Sequence, residues 1–348
     1  MINYKYPSSR QLRRINPEKI VNLQRPRPTF RLFPVVERNY WRLEWEQRDN
    51  YRGFQQLRGI NGQPSYVRMV GFQRFSQEPG VFGEYMMVDE AQMTMRAASN
   101  DPDGMGRPVN IADLVTERQD YLNARETDLI EWMSWALLLN GTFTLLGPTG
   151  AKFAATFPIQ TATLSDWTNP ATGTPLADLL GITLLARGKS VSFGAGAELF
   201  TNAQSVANVL LNANIDDIGG MRAALGGIAR TGTPISLDDA NRIFTAQGVA
   251  TIVMYDESYN RESDGALQLW IPDDVSVLVG RRSNGDPVGQ YHMVRNVNNP
   301  GNNPGRYTKV IDNLDRDVPR QISVHQGHNG GHVIFYPSAI IRLEHGTP

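Results

Sequence analysis

The chain has 348 residues, longer than one hydrophobic core usually extends, so two or three lobes are expected. At 41% hydrophobic and 20% charged it is not a disordered chain, and a formal net charge of −1 excludes a polyelectrolyte partner for nucleic acid over its whole length. With no cysteine there is no disulfide, no thiolate metal site and no cysteine nucleophile, which fits a protein made in a reducing cytoplasm.

The opening residues show neither the apolar run nor the small-residue cleavage site of a secretory signal. No apolar stretch approaches the roughly 18 residues needed to span a bilayer, so no membrane partner is expected. Charge is uneven: residues 1–50 hold 11 Lys+Arg against 5 Asp+Glu, a basic stretch suited either to phosphates or to an acidic neighbouring subunit. Lys5, Lys19, Lys152, Lys189 and Lys309 are the only lysines among 34 basic residues. Arginine tolerates partial burial and pairs bidentately with carboxylates, so the bias suits many subunit contacts; host codon usage would give the same skew.

Residues 1–45 read as extended, because Pro7, Pro17, Pro26, Pro28 and Pro34 recur too often for a long helix. Phe30, Leu32 and Phe33 then anchor an arm on another surface. Arg38-Asn39-Tyr40-Trp41-Arg42 is basic and aromatic, which suits stacking on single-stranded bases or, better, anchoring in a neighbour's groove. Tyr66–Phe72 and Phe82–Val88 are rich in β-formers, with Glu78-Pro79-Gly80 as a turn between them. Neither strand is apolar enough for burial on both faces, and a two-stranded ribbon is marginal alone, so support from a neighbouring chain is expected. Tyr40, Trp41, Arg42, Arg68, Phe72, Arg74 and Phe82 are the candidate subunit-interface residues.

The strongest helix follows, from about Ile111 to Asn140, with Asn110 as N-cap, Asp113 in the first turn and Asn140-Gly141 as the stop. Its apolar residues recur near the helical period, interrupted by Arg118 and Arg125. A helix of that length, about 45 Å, would be a spine beneath other elements. Short strands are expected at Thr142–Leu146, Ala154–Ile159 and Thr161–Leu164, then a polar loop and a helix at Leu176–Ala186. Helices follow near Ala203–Ala213 and Leu237–Gln247, the second capped by Ser236 and ended by Gly248. Ala250–Tyr255, Leu267–Ile271, Val275–Val279, His332–Tyr336 and Ile340–Glu344 read as strands, and Asn296–Arg306 as a surface loop. The class is α+β.

Catalytic motifs fail on spacing. Gly147-Pro148-Thr149-Gly150-Ala151-Lys152 lacks a glycine before the lysine and a hydroxyl residue after it, so it reads as a turn rather than a phosphate loop. Gly194-Ala195-Gly196 lacks the third glycine of a dinucleotide fingerprint. His325, His328 and His332 sit beside Gly327, Gly330 and Gly331, which reads as a flexible turn entering a strand and not as three converging ligands. Asp216/Asp217 and Asp273/Asp274 are adjacent and point apart, as turn and cap residues do. No catalytic residue, metal or cofactor is assigned.

Several stretches, in order, resemble one family. Ala155-Thr156-Phe157-Pro158, then Thr163-Leu164-Ser165-Asp166-Trp167 and Pro175-Leu176-Ala177-Asp178-Leu179, resemble the central signature of lambda-type major capsid proteins of tailed bacteriophages. Gly248 to Asp256, Leu269-Trp270-Ile271-Pro272-Asp273-Asp274-Val275 and Tyr336-Pro337-Ser338-Ala339-Ile340 resemble its later strands. The likeness covers about residues 50–345. It implies the Hong Kong 97-like fold, with an N-terminal arm at 1–50, an E-loop hairpin at 51–100 and a P-domain at 101–189 carrying the spine helix. An A-domain would follow at 190–330, and residues 331–348 would return to P-domain strands. It further implies a structural subunit, not an enzyme, that forms hexamers and pentamers around a scaffold in the host bacterial cytoplasm. These join a portal, enclose double-stranded DNA without sequence specificity and can take a decoration protein in the virion capsid. Some relatives weld their shells through an E-loop lysine; none lies between Lys19 and Lys152, so a shell held by non-covalent contacts is expected. The rival readings are an encapsulin-like compartment around an enzyme cargo, and an enzyme using the His325–His332 region.

Overall fold

A computed structural model describes residues 9–47, 63, 73–95, 111–147, 150–187, 189, 191–212, 215, 235–260, 265–282, 285–313 and 320–346. Arg68, Phe72, Asn110 and the strand expected at Tyr66–Phe72 lie outside them. The elements, in chain order, begin with α1 (Ser9–Gln24), α2 (Pro28–Leu32), β1 (Val35–Glu37), β2 (Leu43–Gln47), β3 (Gln73–Gln77), β4 (Gly80–Val88), α3 (Glu90–Met95) and α4 (Ile111–Asn140). Next come β5 (Thr142–Leu146), β6 (Lys152–Thr156), β7 (Gln160–Thr163), α5 (Pro175–Thr183), β8 (Val191–Ser192), β9 (Glu198–Thr201) and α6 (Ala203–Leu210). The rest are α7 (Leu237–Ala246), β10 (Thr251–Met254), β11 (Ser258–Asn260), β12 (Leu267–Leu269), β13 (Val275–Val279) and β14 (Arg281–Arg282), then β15 (Gly289–Val294), β16 (Tyr307–Asp312), β17 (Ile322–Ile334) and β18 (Ile340–Glu344).

The chain divides into two compact units, each assembled from separated stretches. The first comprises residues 1–44, 76–133 and 289–333. Its sheet runs β1-β15-β17-β16, with β4 pairing β17 as well. β4 and β17 are antiparallel over nine pairs, from Val88 opposite Ile322 to Gly80 opposite Gly330. One sheet face packs on the helices: Val88, Ile322 and Val324 share a core with Leu12 of α1 and with Ile111, Leu114, Val115 and Leu122 of α4. The two arginines that break the apolar stripe of α4 are bound here. Arg118 donates to the Gln92 side chain at 3.2 Å, and Arg125 grips the Glu84 carboxylate through two 2.7 Å bonds.

The second unit comprises residues 45–75, 134–288 and 334–348. Its sheet runs β10-β9-β13-β18-β7 over a core that includes Trp167, Leu199, Phe244, Leu278 and Ile341. Ser236 caps α7 by accepting from the Asp239 backbone N–H at 3.2 Å. β5 and β6 form a hairpin whose turn holds Gly147 and Gly150, so the phosphate-loop look-alike is a turn. The polar loop before α5 is pinned by Asp178. That carboxylate accepts from the Ser165 hydroxyl at 2.5 Å and the Trp167 indole at 2.9 Å.

Three expectations need correction. Residues 9–24 are helical despite Pro17. Leu12 and Ile20 are buried eight residues apart on one helical face, while Pro17 is exposed, so its ring meets solvent and only one backbone bond is lost. Lys19 bonds Asp120 at 2.7 Å, and Arg27 bonds Asp128 and Glu131, each at 2.7 Å, so the segment packs within its own unit. Leu32 and Phe33 are buried there too.

Second, β4 pairs with the distant β17, and β3, the described strand before it, pairs with β2, while any pairing of β4 with Tyr66–Phe72 lies outside the described residues. The stretch 289–333 accordingly shares a sheet with β4 and does not group with 191–288, so one contiguous lobe at 190–330 is not what the contacts describe.

Third, Gly327, Gly330 and Gly331 lie inside a continuous 13-residue strand. Gly327 and Gly330 serve close approach rather than a turn. A Cβ on Gly327 would overlap the Phe82 carbonyl and stand 2.8 Å from the Gly83 Cα, while one on Gly330 would stand 2.6 Å from the His292 carbonyl oxygen. Backbone cannot yield as a flexible side chain does, so Gly327→Ala is expected to cost more than about 2 kcal/mol. Gly181, within α5, has nothing within 4 Å of its missing Cβ. Gly181→Ala is therefore expected to stabilise by about 0.5–1 kcal/mol. Urea unfolding of both variants checks the pair; equal effects would refute the close-approach explanation.

Candidate subunit interface

The sequence-derived candidates separate into two kinds. Trp41 is 63% exposed, and the Arg42 guanidinium lies 4.4 Å from its ring centroid. Arg42 also meets Glu78 at 3.3 Å, so the cation is held over the indole. An exposed Trp–Arg stack has the composition of an interface anchor. Arg74 is exposed on β3. Tyr40 and Phe82, by contrast, are engaged inside the first unit. The Tyr40 hydroxyl bonds His292 Nδ1 at 2.8 Å, and the Phe82 ring lies 5.1 Å from that of His328.

A second surface went unassigned in the sequence. Alternation along β4 turns Phe82, Met86 and Val88 toward α4 and places Val81, Tyr85 and Met87 outward, 79%, 58% and 50% exposed. β4 is therefore not buried on both faces, in keeping with the expectation for Phe82–Val88, although its exposed face carries apolar side chains. Tyr85 stands opposite His325 and stacks on it, centroids 5.1 Å apart at 18°. Tyr307 of β16 lies across the glycine pair: a Cβ on either Gly83 or Gly327 would stand 2.7 Å from its hydroxyl. The glycines thus let an aromatic ring lie flat on the sheet. Ile311 of β16, 52% exposed, extends the face. The signal was present in the sequence as apolar residues at both parities of one strand.

What holds this sheet on α4 is a buried polar network. Glu126 of α4 bonds Arg306, accepts from the Gln326 amide at 2.6 Å, and has His328 Nδ1 at 3.5 Å. Gln326 is also bonded to Gln119, and His328 Nε2 meets the Tyr291 hydroxyl at 2.7 Å. Burial alone would raise the Glu126 carboxyl, but the Arg306 guanidinium, His328 and the Gln326 amide outweigh it, and the group stays below its ordinary value. Burial pushes His328 down to about 4, against the pull of Glu126, so it is neutral at pH 7. His332, packed edge-on against Phe33 and Tyr291, falls to about 3 through burial and the nearby His292.

The three histidines of β17 do not converge. His325 is on the outward face, His328 and His332 are on the opposite one, and among the described residues no group of three potential ligands could hold a metal ion.

No family model and no curated protein matches the sequence. Solved structures do match. A phage-related protein from Bordetella bronchiseptica RB50 superposes with a TM-score of 0.55 at 14% identity, over 95% of this chain and 98% of that one. A protein assigned as a prophage capsid protein in E. coli CFT073 gives 0.54 at 14% identity, over 78% of this chain and 79% of its own. With its long helix beneath a sheet and its second α+β unit, the chain has the Hong Kong 97-like fold of phage capsid proteins.

Proposed function

We propose that the chain is a structural subunit of a tailed-phage head. Copies assemble into hexamers and pentamers that close an icosahedral or prolate shell around double-stranded DNA. The observation carrying this reading is the fold shared with phage proteins over nearly the whole chain, including 98% of the Bordetella relative. The ordered lambda-type motifs from Ala155 to Ile340 support the viral role over an enzyme-cargo compartment. Histidines engaged in ring packing and buried hydrogen bonds support a structural role over a catalytic one. Scaffold and portal proteins act in assembly within the host bacterium, and a decoration protein can join the outer surface. The exposed Trp41 and Arg74 and the half-buried Arg42 make contacts between subunits, and Arg68 and Phe72, outside the described residues, are further candidates for the same role.

Cohesion is non-covalent, because no lysine lies between Lys19 and Lys152 to weld neighbours. Purified particles boiled in detergent are expected to give single chains of 38.8 kDa and to release double-stranded DNA. A ladder of covalent multimers would refute the non-covalent shell, and particles filled with an enzyme instead of DNA would refute the viral role.

A further inference from the structure

We infer that Tyr291, His328 and Glu126 form a one-way hydrogen-bond relay, and that Arg306 keeps its imidazole neutral so that the sheet meets α4 in a single protonation state. The three groups come from β15, β17 and α4 and are all buried. The Tyr291 hydroxyl stands 2.7 Å from His328 Nε2, and His328 Nδ1 stands 3.5 Å from the Glu126 carboxylate. The ring therefore sits between a phenol and an anion, with one nitrogen turned to each. Glu126 and Arg306 are the charged groups that bear on it, while Tyr291 of β15 and Phe82 of β4 pack on it uncharged. Arg306 is bonded to Glu126 and already balances its charge, so a protonated His328 would add a second cation to a dry site.

The proton count fixes the direction of the relay. A neutral imidazole has one donor nitrogen and one acceptor nitrogen. With the hydrogen on Nε2, the bare Nδ1 lone pair would face the carboxylate, a repulsion that the low dielectric of the interior magnifies. With the hydrogen on Nδ1, its dipole is turned to the anion; the contact is longer than a full hydrogen bond and acts through charge. Nε2 is then an acceptor, and the Tyr291 hydroxyl supplies the hydrogen. Burial and the Glu126 charge raise that phenol well above its ordinary value, so the hydrogen is there to give. Every hydrogen thus runs from tyrosine through histidine toward the carboxylate.

The relay also resists a second proton. Protonated at both nitrogens, His328 would need Tyr291 as an acceptor, and the hydroxyl hydrogen would have to turn away from the ring. Among the described residues that hydroxyl has no other partner, so its hydrogen would be left buried and unpaired. Burial holds His328 down to about 4, with Glu126 pulling it up and Arg306 pushing it down. Acid accordingly acts on the unfolded chain first, and the joint between sheet and helix keeps its protons in place.

The test is nitrogen NMR of the full chain carrying nitrogen-15 histidine, the His328 signals being assigned by their loss in His328→Gln. At pH 7, Nδ1 is expected to carry the hydrogen and Nε2 to be bare, with neither signal moving from pH 8 to pH 5. A hydrogen on Nε2, or a titration midpoint near the ordinary value of about 6.5, overturns the inference. Arg306→Met removes the balancing cation, and its His328 ring is expected to hold a hydrogen on both nitrogens at pH 7. A ring that stays neutral there overturns the role given to Arg306. Should either variant misfold, the wild-type signals, assigned through the backbone, still decide. The shell reading does not depend on either result.

Discussion

Glu126→Gln is expected to lower the unfolding free energy by about 3–5 kcal/mol, among the largest single-residue effects in the first unit. The carboxylate is buried, and its removal leaves the Arg306 guanidinium without its anion and Gln326 with a rearranged partner. The cost comes from the stranded charge rather than from the pair's own worth, because desolvation offsets most of a buried ion pair's attraction. The double variant Glu126→Leu, Arg306→Met should therefore recover most of the loss. Urea unfolding at pH 7 measures both. A single-variant loss below about 1 kcal/mol would show that the network does not hold α4 to the sheet.

Acidification is expected to remove stability in a window set by the buried histidines. His292, His328 and His345 are pushed down to about 4 by burial, and His332 to about 3. The folded chain keeps them neutral, while the unfolded chain protonates them below its ordinary value of about 6.5. Stability is full above that value and falls as the pH drops toward the folded values, because the unfolded state binds more protons. By pH 5 each of these imidazoles has cost about 2 kcal/mol, since a tenfold rise in proton activity is worth about 1.4 kcal/mol to the state that binds the proton. Glu126 acts in the same direction lower down: its depressed carboxyl stabilises the fold above its ordinary value and ceases to as it protonates. The urea midpoint should drop steadily from pH 7 to pH 5, and His328→Asn should flatten the slope. A midpoint unchanged over that range would contradict the burial of these imidazoles.

The sequence was most legible where structure is local. The spine helix runs over Ile111–Asn140 as its periodicity and the Asn140-Gly141 stop require, with Gly141 at φ 67°. Val275–Val279 and Ile340–Glu344 are strands within those bounds, and Ser236 caps its helix. Legibility failed where a distant partner overrides local preference. Pro17 argued against a helix, yet Leu12 and Ile20 gain a core that only the folded unit supplies. Gly327 and Gly330 argued for a turn, since nothing nearby announces that Tyr307, Phe82 and His292 press on the strand. β4 finds β17 more than 230 residues later, a pairing no window of sequence contains. The candidate interface was half visible. Trp41 and Arg42 stand out by composition; the apolar residues at both parities of β4 are also legible, but which of them face outward becomes apparent only once its inner face is filled by α4.

Electron microscopy of the chain, expressed alone and together with a candidate scaffold protein, tests the central claim most directly. The account predicts closed shells of uniform size whose wall repeats this subunit in rings of six and five. Monomers under every condition would contradict it.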